Sequence, residues 1–309
     1  MRLLRLGAWL SGLALLLAGC APSSPTPPTP TGAADSISSR AELKRIAAEF
    51  NPGLIISDAM FYDQSAMSVG AIQTFLETVR CVPRDGVPCL ADYRETFVAQ
   101  PDWGPGHCFA IPELPRASAA EIISTVAQAC GVSPRTLLVL LQKEQSLLTS
   151  PSEYGYTRAT GYGCPDTADC FAKYFGFGNQ VYNAAWQFRQ YTLEPERRYR
   201  IGTVDVAFKP DPACGAAPVS IVNQATANLY NYTPYQPNAA AIADPGGQGD
   251  ACSAWGNLNM WLIWNVWFGD PLAEPLPDFF PACERHEAGA RCELIEPTDA
   301  FEPPLKRSR

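Results

Sequence analysis

The sequence predicts a mainly α-helical domain with disulfide-stapled loops and at most a small β element. Three observations carry this expectation. Apolar residues recur at helical spacing along most of the chain between residues 39 and 268. Only residues 198–208, "RYRIGTVDVAF", alternate in the manner of a strand pair. The 11 cysteines, in a chain with an export-like N-terminus, point to disulfides rather than free thiols.

Residues 1–19 are expected to be a signal peptide. Arg2 and Arg5 make a basic start, and "LGAWLSGLALLLAG" follows as an apolar core. That core is short for a membrane span, which needs about 20 residues. It ends in Leu17-Ala18-Gly19-Cys20, which resembles the lipobox of bacterial lipoproteins. The resemblance implies lipidation at Cys20 and an extracytoplasmic protein held to the membrane by that lipid alone. Residues 20–35, rich in proline, serine and threonine, then form a tether. The globular domain is expected over 36–272, followed by a proline-rich acidic tail over 273–309.

Within the domain, Ser39 and Glu42 have capping-box spacing at the start of a first helix. Val69, Ile72, Leu76 and Val79 give the stripe of a second. Residues 81–117 hold many prolines and glycines and three cysteines, and are expected to be irregular. Ser118 and Glu121 open a further helix, which Gly131 ends. Ser133-Pro134 opens the next, with serine as N-cap and proline at the first helical position. Helices are also expected in "NQVYNAAWQFRQY", "SIVNQATANLYNY" and "GNLNMWLIWNVWF". Four of the seven tryptophans lie in or just before the last of these, where helical spacing favours the core.

With Cys20 set aside, Cys81, Cys89, Cys108, Cys130, Cys164, Cys170, Cys214, Cys252, Cys283 and Cys292 remain as disulfide candidates. Spacing does not fix their connectivity. Pairing of sequence neighbours is the simplest expectation, and Cys164–Cys170 is its most local member. His107 and His286 are the only histidines, and neither has partners at zinc spacing, so neither a metal nor another cofactor is expected. The formal charge is −8, and loss of Arg2 and Arg5 with a signal peptide makes it −10. The only basic block is Lys306-Arg307-Ser308-Arg309, so nucleic acid is not an expected partner.

The segment "LLVLLQKEQSLLT", residues 137–149, carries the chemical argument. Leu137 to Leu141 are apolar on every face of the helix, which marks it as a core helix. Glu144 follows, about three turns in. There a core helix emerges into whatever cleft lies at its end. A partly desolvated carboxyl suits general acid work. The bland alternative is a solvent-facing carboxylate at a helix end.

After Glu144 comes "YGYTRATGYGCPDTADCFAKYFGFGNQVYNAAWQF", and later "YNYTPYQPN", residues 230–238. This layout resembles the lysozyme superfamily, most closely goose-type lysozymes and bacterial lytic transglycosylases, over about residues 118–240. Most of 50–270 also resembles a group of secreted actinobacterial proteins, some labelled haemagglutinin-like. The first resemblance implies a lysozyme-like helical domain that cleaves peptidoglycan or another cell-wall glycan, with Glu144 as its single general acid/base. It implies that the turn Gly176–Gln180 lines the sugar groove, with Asn179 and Gln180 as substrate contacts, and that Tyr162 and Tyr235 contribute too. Asp166, and after it Glu153, are the candidates for a second carboxylate; for each, an ordinary loop or turn role is the alternative. Gln145 stands where those enzymes usually have serine, Asn179 where an apolar residue is common, and the Cys164–Cys170 insert is not in their minimal pattern. The competing expectation is a glycan-binding adhesin or wall-anchoring lipoprotein on the same fold, without turnover. An open groove with Gln180 and Tyr235 near Glu144 would favour the enzyme. A sealed Glu144, or one paired with Lys143, would suit the binder.

Overall fold

The computed structural model describes residues 39–165, 168–194 and 196–273. The expected signal peptide and tether, Asp166, Cys283, Cys292 and nearly all of the expected tail lie outside them.

Five helices form the framework of the site. α4 (Ala119–Cys130) begins with the capping box seen in the sequence: the Ser118 hydroxyl accepts the Glu121 N–H, and the Glu121 carboxylate accepts the Ser118 N–H. Gly131, at φ 62°, ends it in the left-handed conformation that glycine adopts without penalty. α5 (Pro134–Gln145) starts at Ser133-Pro134, as its caps predict. Leu137, Leu138, Val139, Leu140 and Leu141 are all buried, because α5 packs between α4 and α10 (Gly256–Phe268). α7 (Phe177–Leu193) crosses α4 and meets α8 (Gln224–Tyr232). In α10, Trp261 and Trp264 are core residues, in keeping with their spacing. α1 (Arg40–Ala48), capped by Ser39, and α3 (Val69–Thr78), capped by Ser68, pack outside this group. Three five-residue helices, α2 (Asp58–Tyr62), α6 (Glu153–Thr157) and α9 (Ala239–Ala243), are too short for a periodic signal.

The β structure departs from expectation. Residues 198–208 hold one strand, not two. β3 (Gly202–Ala207) pairs antiparallel with β4 (Ala216–Ile221), so Ser220 and Ile221 belong to a strand and not to the helix expected over 220–232. Asn223 caps α8 instead, its side chain accepting the Thr226 N–H. A second hairpin lies inside the supposedly irregular stretch: β1 (Arg94–Phe97) pairs with β2 (Leu114–Ser118). It escapes alternation because both strands are short, the register shifts between Glu95 and Phe97, and β2 contains Pro115 and Arg116 at φ 52°. The described chain is thus mainly helical with two small antiparallel sheets, one more than expected.

Among the described residues four disulfides join sequence neighbours: Cys81–Cys89, Cys108–Cys130, Cys164–Cys170 and Cys214–Cys252. Bonds of this kind persist in oxidising, extracytoplasmic compartments. Among the described residues, no helix is long and apolar enough to cross a membrane.

Candidate functional site

α5 stops being buried at its last turn. Ser146, at φ 51°, closes the helix, and the side chains of Lys143 and Glu144 reach the wall of a groove of about 750 Å³. Four segments enclose the rest of it. Residues 160–165 and Phe171 form one side, α7 contributes Tyr191, Asn231 and Tyr232 end α8 with Thr233–Tyr235 just after it, and Gly256 and Asn259 belong to the first turn of α10. Among the described residues lining the groove, Glu144 is the only carboxylate.

Glu144 is not solitary. Lys143 Nζ forms an ion pair with Glu144 Oε1 and donates a hydrogen bond to Thr233 Oγ1 at 3.0 Å. The Lys143 side chain is 4% exposed and that of Glu144 24%, so the ammonium lies behind the carboxylate. A buried ammonium requires such a partner. On its other side Glu144 meets the backbone of Gly161: a Cβ at that position would stand 3.3 Å from Oε2, and φ there is +71°. Glycine is what allows this close approach.

The segment 160–162 is held from beneath by Gln180. Its Oε1 accepts the N–H groups of Thr160 at 3.2 Å and Tyr162 at 3.1 Å, and its Nε2 donates to the carbonyls of Tyr162 at 2.9 Å and Tyr174 at 2.7 Å. Gln180 is fully buried and does not line the groove. The expected contact with substrate is therefore corrected: the amide is occupied by the loop it supports. Asn179 is corrected as well. Its amide donates to the carbonyls of Lys173 and Phe175, and the residue borders a separate hollow of about 310 Å³ beside Glu95 and Phe97. Nor does Asn179 open a helix. α7 starts two residues earlier from Gly176, without a side-chain cap of its own. Glu95 of β1 substitutes, its Oε1 accepting the Gly178 N–H at 2.6 Å.

Tyr162 and Tyr235 both line the groove. The Tyr162 hydroxyl donates to Gln187 Oε1 at 3.2 Å, and burial, then the neighbouring Tyr174, push its phenol up. Tyr191 is pushed up to about 12, chiefly by burial. Tyr232 donates to the Thr160 carbonyl at 2.8 Å; burial first, and the Glu144 charge next, hold its phenol well above the usual value. These phenols stay neutral around neutral pH, so they offer hydrogen bonds and ring faces rather than charge. Glu153 is exposed at the start of α6 and is not among the groove residues. Asp166 lies outside the described residues. No cluster of three or more metal-ligating side chains occurs among the described residues.

Sequence reasoning missed Thr233, Asn231, Asn259 and Phe171 as groove residues. Thr233 and Asn231 were visible only as part of "YNYTPYQPN". Asn259 was hidden in a helix dominated by tryptophan, and Phe171 in the disulfide insert. The assembled wall offers aromatic faces, the Asn259 amide, hydroxyls and one carboxylate–ammonium pair. No family model, curated protein or solved structure matches this chain.

Proposed function

We propose that the groove binds a strand of cell-wall glycan and that Glu144 acts on it as general acid and then base. The observation that carries this reading is the position of Glu144: the single carboxylate among the described lining residues, at the end of a buried helix, in the wall of an open groove rich in tyrosine. Glycoside cleavage needs a proton on the leaving oxygen, and it passes through an oxocarbenium-like state. In peptidoglycan, the substrate's own N-acetyl or 6-hydroxyl group can take the part of a second carboxylate. The anchor belongs to the same proposal: a lipid on Cys20 would hold the groove at the outer membrane face, next to the wall. Membrane fractionation of a Cys20→Ala variant tests the anchor, and undiminished membrane association would remove it from the reading.

The Lys143–Glu144 ion pair favours a second reading. The pair occupies Glu144 Oε1, so cleavage requires it to open as glycan enters and free the carboxyl to reach the leaving oxygen. If it stays closed, Glu144 only accepts hydroxyl hydrogens and the protein is a glycan binder. One variant separates the two. In the enzyme reading, Glu144→Gln costs some stability, because the buried Lys143 ammonium keeps an amide oxygen and Thr233 but loses its anion; the folded protein keeps most of the affinity for purified peptidoglycan, and turnover falls by about 10²–10⁴-fold. Undiminished turnover in a folded Glu144→Gln protein would exclude Glu144 as the acid. Binding without turnover in both proteins would establish the binder.

A further inference from the structure

Phe171 has its side chain largely in solvent, 56% exposed, although it lines the same groove as Glu144. A lone exposed phenylalanine on a convex surface needs no explanation. This one is held in place from three sides. Its N–H donates to the Gly163 carbonyl at 2.8 Å, its carbonyl accepts the Tyr174 N–H at 3.0 Å, and the preceding residue is bonded to Cys164. Gly163 lies against Tyr174 so closely that a Cβ there would come within 2.5 Å of its ring, and φ is +71°. Tyr174 in turn packs edge-on against Tyr162, with ring centroids 4.7 Å apart. A short chain of fixed parts therefore links Glu144 to Phe171: Gly161 against the carboxylate, Tyr162 pinned by Gln180, Tyr174 against Tyr162, and Phe171 one 3-10 turn before Tyr174.

We propose that Phe171 is a stacking platform for one pyranose ring of the bound glycan, and that it sets which unit of the strand comes to rest beside Glu144. This rests on the glycan reading above. The C–H groups on one face of an N-acetylhexosamine carry partial positive charge and meet the negative face of an aromatic ring. The groove wall also supplies the Asn259 amide for the hydroxyl and acetamido groups. Because the backbone already holds Phe171, little ordering remains to oppose binding.

The test uses the full chain and two probes, a soluble N-acetylglucosamine hexamer and peptide-free glycan strands from peptidoglycan. Calorimetric affinities are compared for the unsubstituted protein, Phe171→Ala and Phe171→Tyr on whichever probe the unsubstituted protein binds. Phe171→Ala should bind roughly tenfold more weakly at an unchanged melting temperature, because the ring is exposed. Phe171→Tyr should stay within about twofold. In the unsubstituted protein, saturation transfer should pass from aromatic protons to the sugar C–H protons of one ring face, and this should fall in Phe171→Ala. Equal affinities for the unsubstituted protein and Phe171→Ala would overturn the platform while leaving the glycan reading intact. Failure of the unsubstituted protein to bind either probe would overturn both.

Discussion

Gln180 and Glu144 show how differently two polar residues can serve one site. Gln180 was expected to touch substrate, yet its amide meets four backbone groups of Thr160, Tyr162 and Tyr174. Replacing it by leucine strands buried donors and acceptors, each at about 1–3 kcal/mol. Gln180→Leu should therefore lose roughly 3 kcal/mol or more of stability in denaturant titration. It should also weaken glycan binding, because the loop it supports carries Tyr162 and presses on Glu144. A direct ligand would behave in the opposite way, losing affinity at unchanged stability, and that result would restore the expected role. At this scale the sequence was legible where a residue's task is local. Ser118, Gly131, Ser133 and Pro134 act on their own helix ends, so their positions declare their roles. Gln180 was not legible, because an amide on a helix looks the same whether it faces a groove or a loop twenty residues away. Lys143 was legible only as a possible partner of Glu144. Its burial follows from Thr233, ninety residues on, which supplies the second acceptor.

Elements show the same division between local and distant causes. α4 could be read at both ends and α5 at its start, because caps and apolar period agree. α7 could be read as a helix but not at its start, because its cap comes from another element. Glu95 on β1 accepts the Gly178 N–H at 2.6 Å and the Tyr93 hydroxyl at 2.8 Å. A carboxylate at a helix N-terminus satisfies an orphan donor and meets the positive end of the helix dipole. Glu95→Ala should thus cost about 1–2 kcal/mol and fray the first turn of α7. Hydrogen exchange should show the loss of protection concentrated at Gly178 and its neighbours. A uniform loss across the domain, or none, would mean that Glu95 does not cap the helix. The same hairpin explains the missed β structure. A four-residue strand facing a proline-containing one, with a bulge between, leaves too few alternating positions to register as a pattern, and long-range pairing stabilises it nonetheless.

The whole molecule combines a helical core with loops that the core alone does not secure, and the disulfides divide this work unevenly. Cys214–Cys252 closes a span of 38 residues, between the turn after β3 and the approach to α10. Cys164–Cys170 closes only 6, at the rim of the groove. If a crosslink stabilises mainly by restricting the unfolded chain, the longer loop contributes about 4 kcal/mol and the shorter about 2. Stability and function should then separate. Cys214→Ser with Cys252→Ser should lower the melting temperature more, yet leave the affinity of the surviving folded protein for glycan close to normal. Cys164→Ser with Cys170→Ser should lower the melting temperature less, yet weaken binding by about the same factor as Phe171→Ala, since the bond holds the residue before the ring. Melting curves and calorimetry on the two double variants measure both quantities at once. If the Cys164–Cys170 pair proves the more stabilising, the loop-length account fails for this protein. If its removal leaves affinity unchanged, the groove rim is ordered by Gln180 and the backbone alone, and the insert is a structural addition without a part in glycan recognition.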